Sequence, residues 1–245
     1  MYKIGITERG DAALNLSWED KLNQIDGAIL ITKNLTPEFC NAALRNKDKV
    51  IIHATITGHG GTILEPNVPK FQDSLVYIQS LVDCGFPSSK IVARVDPIIP
   101  TPKGIDTARK VIQAIVDDAL IRRIRVSMID MYPHVRQRFK ELGLPLPYGE
   151  QGFSPSESQI AAVNTMLNSL KEDGLRIETC AEPRLTTAIQ CGCISNIDLY
   201  TLRLFDAEDD FHGFQRKDCH CYDGKTELLD NKHQCAHNCV YCYWK

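Results

Sequence analysis

The sequence predicts an α/β protein: a partial TIM-like (β/α)6 barrel over residues 1–205, with a cysteine-rich tail over 206–245 folded across its mouth. Three observations lead there. Six short β-branched runs alternate with amphipathic segments, polar residues gather where those runs end, and the composition changes at Asp206. Strands alternating with helices pair in parallel through crossover connections. An open doubly wound sheet fits the same alternation. The barrel is preferred because such barrels build their sites at the C-terminal ends of the strands.

Taken in order, the first strand is Lys3–Thr7, ending on Glu8-Arg9. The second, Ala28–Thr32, ends on Lys33-Asn34. Thr36-Pro37-Glu38 then places a capping residue before a first-turn proline. The third strand, Val50–Ile56, sets His53, Thr55 and Thr57 two apart and therefore on one face. Gly58-His59-Gly60-Gly61 follows it. Glycines let backbone amides approach a phosphate or carboxylate, although a plain turn is the commoner explanation. The helix from Phe71 repeats Leu75, Ile78, Leu81 and Val82 on one side and stops at Gly85. The fourth strand, Ile91–Asp96, carries Arg94 and Asp96 on one face. The fifth, Ile124–Ile129, leads to Asp130. Ser154-Pro155-Ser156-Glu157 reads as a second capped start, with Glu157 as its capping-box glutamate. The sixth strand, Arg176–Cys180, ends beside Glu182. Polar residues at the strand ends line a cavity, or close the barrel mouth with satisfied hydrogen bonds.

The 245 residues are 43% hydrophobic and 24% charged, enough for one sizeable core. A net charge of −3 gives no global signal for nucleic acid or membrane. Arg122-Arg123-Ile124-Arg125 and His134–Lys140 are locally basic. A solvated face explains them better than a phosphate patch. The start, Met1 to Gly5, lacks the apolar stretch of a signal peptide, and no run has the length to span a bilayer. The expectation is a cytoplasmic protein with reduced thiols.

Ten cysteines in a reduced compartment point to metal or catalysis. Cys40 and Cys84 stand alone on predicted helices and read as packing residues. The other eight lie between 180 and 242. The tail cannot bury a useful core and needs a metal, or the barrel surface, to hold it. Its end reads Cys235-Ala-His-Asn-Cys239-Val-Tyr241-Cys242. Three thiolates so spaced can hold three corners of a [4Fe–4S] cube and leave one iron open. Zinc is the rival, since Cys219, Cys221, His220, His233 and His237 lie near enough in sequence to close a tetrahedral site. Cys180, Cys193, Cys219 and Cys221 are candidates for a second, auxiliary cluster. Buried small hydrophobes or a zinc site are the alternatives.

The Cys-x3-Cys-x2-Cys segment, with an aromatic before the last cysteine, resembles the cluster motif of the radical S-adenosylmethionine superfamily. That resemblance implies a [4Fe–4S] cluster on Cys235, Cys239 and Cys242. It implies S-adenosylmethionine at the open iron, and Tyr241 near its adenine. It also implies a 5′-deoxyadenosyl radical that abstracts hydrogen, and a flavodoxin- or ferredoxin-type electron donor. The six strands fit the superfamily's partial barrel. The position of the motif does not, since there it follows the first strand. The whole chain also resembles an uncharacterised family of bacterial and phage proteins with this kind of tail. The matching stretches are His53-Ala54-Thr55, Arg94-Val95-Asp96-Pro97, Cys180-Ala181-Glu182, Cys193-Ile194, Gln215-Arg216, Cys219-His220-Cys221 and Cys239 to Tyr243.

On this reading Arg94, Asp96, His53 and Glu182 are the catalytic candidates. Arg9, Gly58, Gly60 and Tyr241 are the cofactor-binding ones. The expected reaction is rearrangement of a small substrate. The phage relatives and basic stretch extend that to an amino-acid-bearing nucleoside in DNA base hypermodification. The alternatives are a zinc-stapled binding module and a hydrolase with a metal at His53, Asp96 and Glu182.

Overall fold

The structure is a computed structural model describing residues 1–118, 120–204, 211, 218–231 and 235–244. The acidic run 206–210, Gln215-Arg216 and His233 lie outside the described residues.

A single parallel sheet of eight strands organises the chain. The strands are β1 (Ile4–Ile6), β2 (Gly27–Thr32), β3 (Val50–Thr55), β4 (Ile91–Ile98), β5 (Arg123–Met128), β6 (Arg176–Thr179), β7 (Ile189–Gln190) and β8 (Lys225–Glu227). Strands β1 to β7 lie side by side in chain order, and β8 returns to pair with the free edge of β1. This order lacks the reversal that a doubly wound sheet requires. The six expected strands are present. The two extra ones are only two and three residues long, too short for a periodic signal. Strand β8 also changes the expected division of labour, because the tail adds to the sheet as well as lying over it.

The two faces of the sheet are different environments. Ala28, Leu30, Ile52, Ala54, Ala93, Val95, Ile124 and Val126 alternate toward one face. There they meet α1 (Pro37–Arg45), α2 (Phe71–Asp83), α3 (Pro102–Asp118) and α5 (Glu157–Ser169). Each large side chain buried there contributes about 1.5–3 kcal/mol. The opposite face presents Ile4, Ile6, Ile29, Ile51 and Val92 to Leu199 of the short helix α6 (Asn196–Thr201) and to Ile194, Leu202 and Tyr222.

Helix starts follow their caps. The Thr36 hydroxyl accepts from the Phe39 amide, as its sequence position implies. Helix α5 departs from expectation: Ser156 is the N-cap and Gln159 completes the capping box. Pro155 therefore precedes the helix, and Glu157 is its first residue. Helix α2 ends at Gly85, whose φ of +94° suits glycine. A 3₁₀ helix over Leu16–Gln24, capped by Asn15, went unread in the sequence because its apolar positions are too sparse for a helical stripe. Among the described residues, no helix is long and apolar enough to cross a membrane.

Of the two basic stretches, Arg122–Arg125 is neither a solvated face nor an open phosphate patch. Arg123 and Arg125 point to the face away from the main helices and are buried in an ion network. The Glu178 carboxylate accepts from Arg125 at 2.8 Å, Arg123 at 3.2 Å and Arg176 at 2.7 Å. Asp198 of α6 accepts from Arg123 at 2.9 Å. In this stretch only Arg122, paired with Glu172, stays exposed; the second stretch keeps His134, Gln137 and Lys140 at the surface, the solvated face expected of it.

Candidate metal and cofactor site at the strand ends

The tail comes back over the C-terminal ends of the strands, as the cluster reading requires, and specific side chains hold it there. Asp11, just past β1, is the first anchor. One of its oxygens accepts from the Ala13 amide and the Thr32 hydroxyl. The other accepts from the Lys33 amide at 2.7 Å and from His237 Nε2 at 2.8 Å. Nδ1 of His237 lies 3.2 Å from the Asn67 carbonyl oxygen. The second anchor is Tyr241, whose hydroxyl donates to Glu65. Lys33 donates to Glu65 at 2.7 Å and to the Tyr241 oxygen at 2.9 Å. The third is Arg138 of α4 (Pro133–Glu141), which donates to the carbonyls of Val240 and Cys242. Cys239, Val240 and Tyr241 pack with Val68, Ile99, Ile129, Met131, Val135 and Phe139 in a small core of their own.

The charges of this region are set by burial and by each other. Burial alone would raise the Glu65 carboxyl and lower the Lys33 ammonium. Their mutual attraction reverses both, and Cys239 adds to the upward pull on Lys33. Burial, then the carboxylate of Glu65, holds the Tyr241 phenol well above its usual range, so it acts as a donor. Burial pushes the Cys239 thiol up to about 12, opposed by Lys33. A metal would have to displace that proton.

The other thiol group is tighter. The sulfurs of Cys180, Cys193 and Cys221 all lie within 4.8 Å of one another, and Cys180 and Cys193 are 3.9 Å apart. Cys219 packs in the same cluster and hydrogen-bonds the Cys180 thiol. Hydrogen bonds from Cys180 and Cys193 draw the Cys221 thiol down, and its sulfur also accepts from the Cys193 amide at 3.1 Å. The reciprocal effect raises Cys180. Cys191 stands apart, its thiol on Glu178 at 3.8 Å.

The remaining sequence candidates fall in different places. Arg94 and Asp96 pair with one another near the end of β4, their side chains 15% and 25% exposed. Glu8, just past β1, pairs with Lys225. Tyr243 keeps 53% exposure as a residue. Its phenol is raised by burial and then by Glu8, Asp96 and Cys193. His53 is fully buried beneath the rim, with neither ring nitrogen hydrogen-bonded. Burial and the cations of Arg125, Arg94 and Arg123 hold it well below its usual value, hence neutral. Glu182 accepts from the Met128 amide at 3.2 Å. Among the described residues, His53, Asp96 and Glu182 do not converge as ligands for one ion, so the hydrolase reading loses its site. Arg9 is exposed, with its amide on Glu227.

The loop glycines are explained by the loop itself. A Cβ on Gly58 would meet Thr107 of α3 at 2.6 Å, and one on Gly60 would stand 1.8 Å from the Pro69 carbonyl oxygen. Cys84 is exposed rather than packed, while Cys40 is partly buried on α1. Sequence reasoning missed Asp11, Lys33 and Glu65 as tail anchors, and no local pattern marks them.

Fold and site together define a parallel α/β protein whose cysteine-bearing tail docks at the strand ends and whose thiol cluster can hold a metal. The chain belongs to the family described as a domain of unknown function, DUF1848, which matches residues 15–244. Nothing among the curated proteins matches it.

Proposed function

We propose that this chain is a radical S-adenosylmethionine enzyme whose cluster site is carried by its C-terminal tail. Cys235, Cys239 and Cys242 would hold three irons of a [4Fe–4S] cluster and leave the fourth open. One observation carries the reading. His237, the nitrogen donor inside the Cys-x3-Cys loop, has both ring nitrogens engaged by Asp11 and Asn67. The loop thus offers three thiols without a free imidazole to close a tetrahedron. The trio is also absent from the groups that converge within single-ion reach among the described residues. That spread suits a polynuclear cluster better than zinc. A cluster bound there supplies the electron that breaks the sulfonium carbon–sulfur bond of S-adenosylmethionine, releasing methionine and a 5′-deoxyadenosyl radical.

The chain's own residues do the rest. Lys33 sits beside Cys239 and offsets thiolate charge. Tyr241, Glu65 and Arg138 fix the loop. Arg94, Asp96 and Glu8 face the mouth and orient the amino-acid end of the cofactor and a small substrate. We take that substrate to be an amino-acid-bearing nucleoside that rearranges, with a flavodoxin- or ferredoxin-type electron donor. We further propose that the sheet curls into a barrel. Tyr222, just before β8, donates its amide to the Ile194 carbonyl, just after β7, at 3.1 Å, which draws the two sheet edges together.

Anaerobic protein with intact iron and sulfide, mixed with S-adenosylmethionine and dithionite, should yield 5′-deoxyadenosine by mass spectrometry. Cys239→Ala should abolish the product and Cys40→Ser should not. A fully reconstituted protein that makes none would overturn the proposal.

A further inference from the structure

The thiol group of Cys180, Cys193, Cys219 and Cys221 belongs to a different class from the tail trio. A tetrahedral ion with metal–sulfur bonds of about 2.3 Å sets its sulfurs about 3.8 Å apart. Cys180 and Cys193 already stand 3.9 Å apart, and Cys221 lies within 4.8 Å of both. A four-iron cube holds its outer thiolates further apart than this. Cys219 is buried in the same cluster; its sulfur stands outside the three that already converge and is the one that has to close in as the fourth ligand.

The surroundings fit a closed thiolate site. The Cys193 amide donates to the Cys221 sulfur, an outer contact that orients a thiolate ligand. Arg125 donates to the Cys193 carbonyl at 3.1 Å, and Lys225, itself paired with Glu8, is buried nearby. These cations offset the negative charge that four thiolates leave on a divalent ion. The site is also placed where a link is needed. Cys180 follows β6, Cys193 follows β7, and Cys219 and Cys221 precede β8. The two short outer strands offer little ladder of their own.

We infer that Cys180, Cys193, Cys219 and Cys221 bind one zinc ion, tetrahedrally and without an open position, and that this ion staples the segment before β8 to the ends of β6 and β7. The role is structural. It is independent of the radical reading, because it uses none of the tail trio. Four sulfur ligands suit zinc, which has no geometric demand of its own beyond the tetrahedron.

The test separates the two sites. The variant Cys235→Ala/Cys239→Ala/Cys242→Ala should keep about one zinc per chain after anaerobic purification and dialysis against a mild chelator. Zinc-edge X-ray absorption should show four sulfurs at about 2.3 Å. Cys193→Ser/Cys221→Ser should lose the zinc. Where that variant does not fold, cobalt exchanged into the tail variant supplies the readout, through the visible spectrum of tetrahedral cobalt on four thiolates. Iron with acid-labile sulfide persisting in the tail variant would overturn the inference. So would zinc on nitrogen or oxygen ligands, or a folded, metal-free tail variant that takes up neither zinc nor cobalt.

Discussion

Asp11 is the residue on which the docking of the tail can be tested most directly. Its carboxylate is buried and takes the Ala13 and Lys33 amides, the Thr32 hydroxyl and His237 Nε2. Asp11→Ala leaves those donors without an acceptor in a place water does not reach. Removing one partner of a buried charged contact costs about 3–5 kcal/mol, against a total stability of about 5–15 kcal/mol. For a chain of this size that lowers Tm by about 10 °C. Stability alone would not show that the tail is involved, since every donor to Asp11 except His237 lies outside the tail. A double-mutant cycle with His237→Ala isolates the contact made by the tail. A hydrogen bond to a charged group is worth about 1.5–3 kcal/mol, and the cycle should return a coupling of that order from urea melts. Effects that add to within about 0.5 kcal/mol would refute the idea that Asp11 clamps the Cys-x3-Cys loop. Under the proposed function, Asp11→Ala should also lose iron while keeping the zinc.

Two further predictions concern the sheet and its loops. Arg125 and Arg123 hold the Glu178 carboxyl at about 2 despite its burial. Against an unperturbed value near 4.3, that corresponds to about 3 kcal/mol. A depressed carboxyl stabilises above its unfolded value, so this contribution is complete above about pH 4.3 and fades as pH falls toward 2. Glu178→Gln should lower the urea midpoint at pH 7 and flatten the acid limb of the stability curve, and an unchanged acid limb would contradict this. Gly60→Ala puts a carbon 1.8 Å from the Pro69 carbonyl oxygen. The backbone must move, and a loss of more than about 2 kcal/mol in chemical denaturation is expected. A loss under about 0.5 kcal/mol would mean the loop is looser than its contacts imply.

Local chemistry made much of the fold readable. Six strands announced themselves by β-branched runs. Helices α1 and α2 did so by a cap and a glycine stop. The grouping of Cys180, Cys193, Cys219 and Cys221 rested on Cys180 ending a strand and on the close Cys-x-Cys spacings, and Cys180, Cys193 and Cys221 do converge. The capping of α5 was misread by two residues because Ser154 and Ser156 both precede acceptable helix starts. The side chain of Gln159 decided between them by reaching back to the Ser156 amide. Arg123 and Arg125 read as surface charge because their partners, Glu178 and Asp198, are 53 and 75 residues away. The Asp11–His237 pair spans 226 residues, and Glu65–Tyr241 spans 176. Pairs like these leave no periodicity and no motif. They exist only once parallel strands have delivered their ends to a common rim.

That delivery is also why the position of the cysteine motif at the end of the chain is no obstacle to its working at the rim. In a parallel sheet every strand ends on the same side, so any segment that reaches this side meets residues from several strands at once. Asp11 follows β1, Lys33 follows β2, Thr57 and Glu65 follow β3, and Arg138 comes after β5. Strand β8 makes that return: it pairs in parallel with β1 and so brings the chain to the rim shortly before Cys235. The long loop is closed once, by the sheet, and the anchors have only the short segment after β8 to fix. Each charged anchor contact contributes about 1.5–3 kcal/mol. Asp11 with His237, and Glu65 with Tyr241, therefore set where along the rim the Cys-x3-Cys loop lies, rather than whether the tail reaches the rim at all.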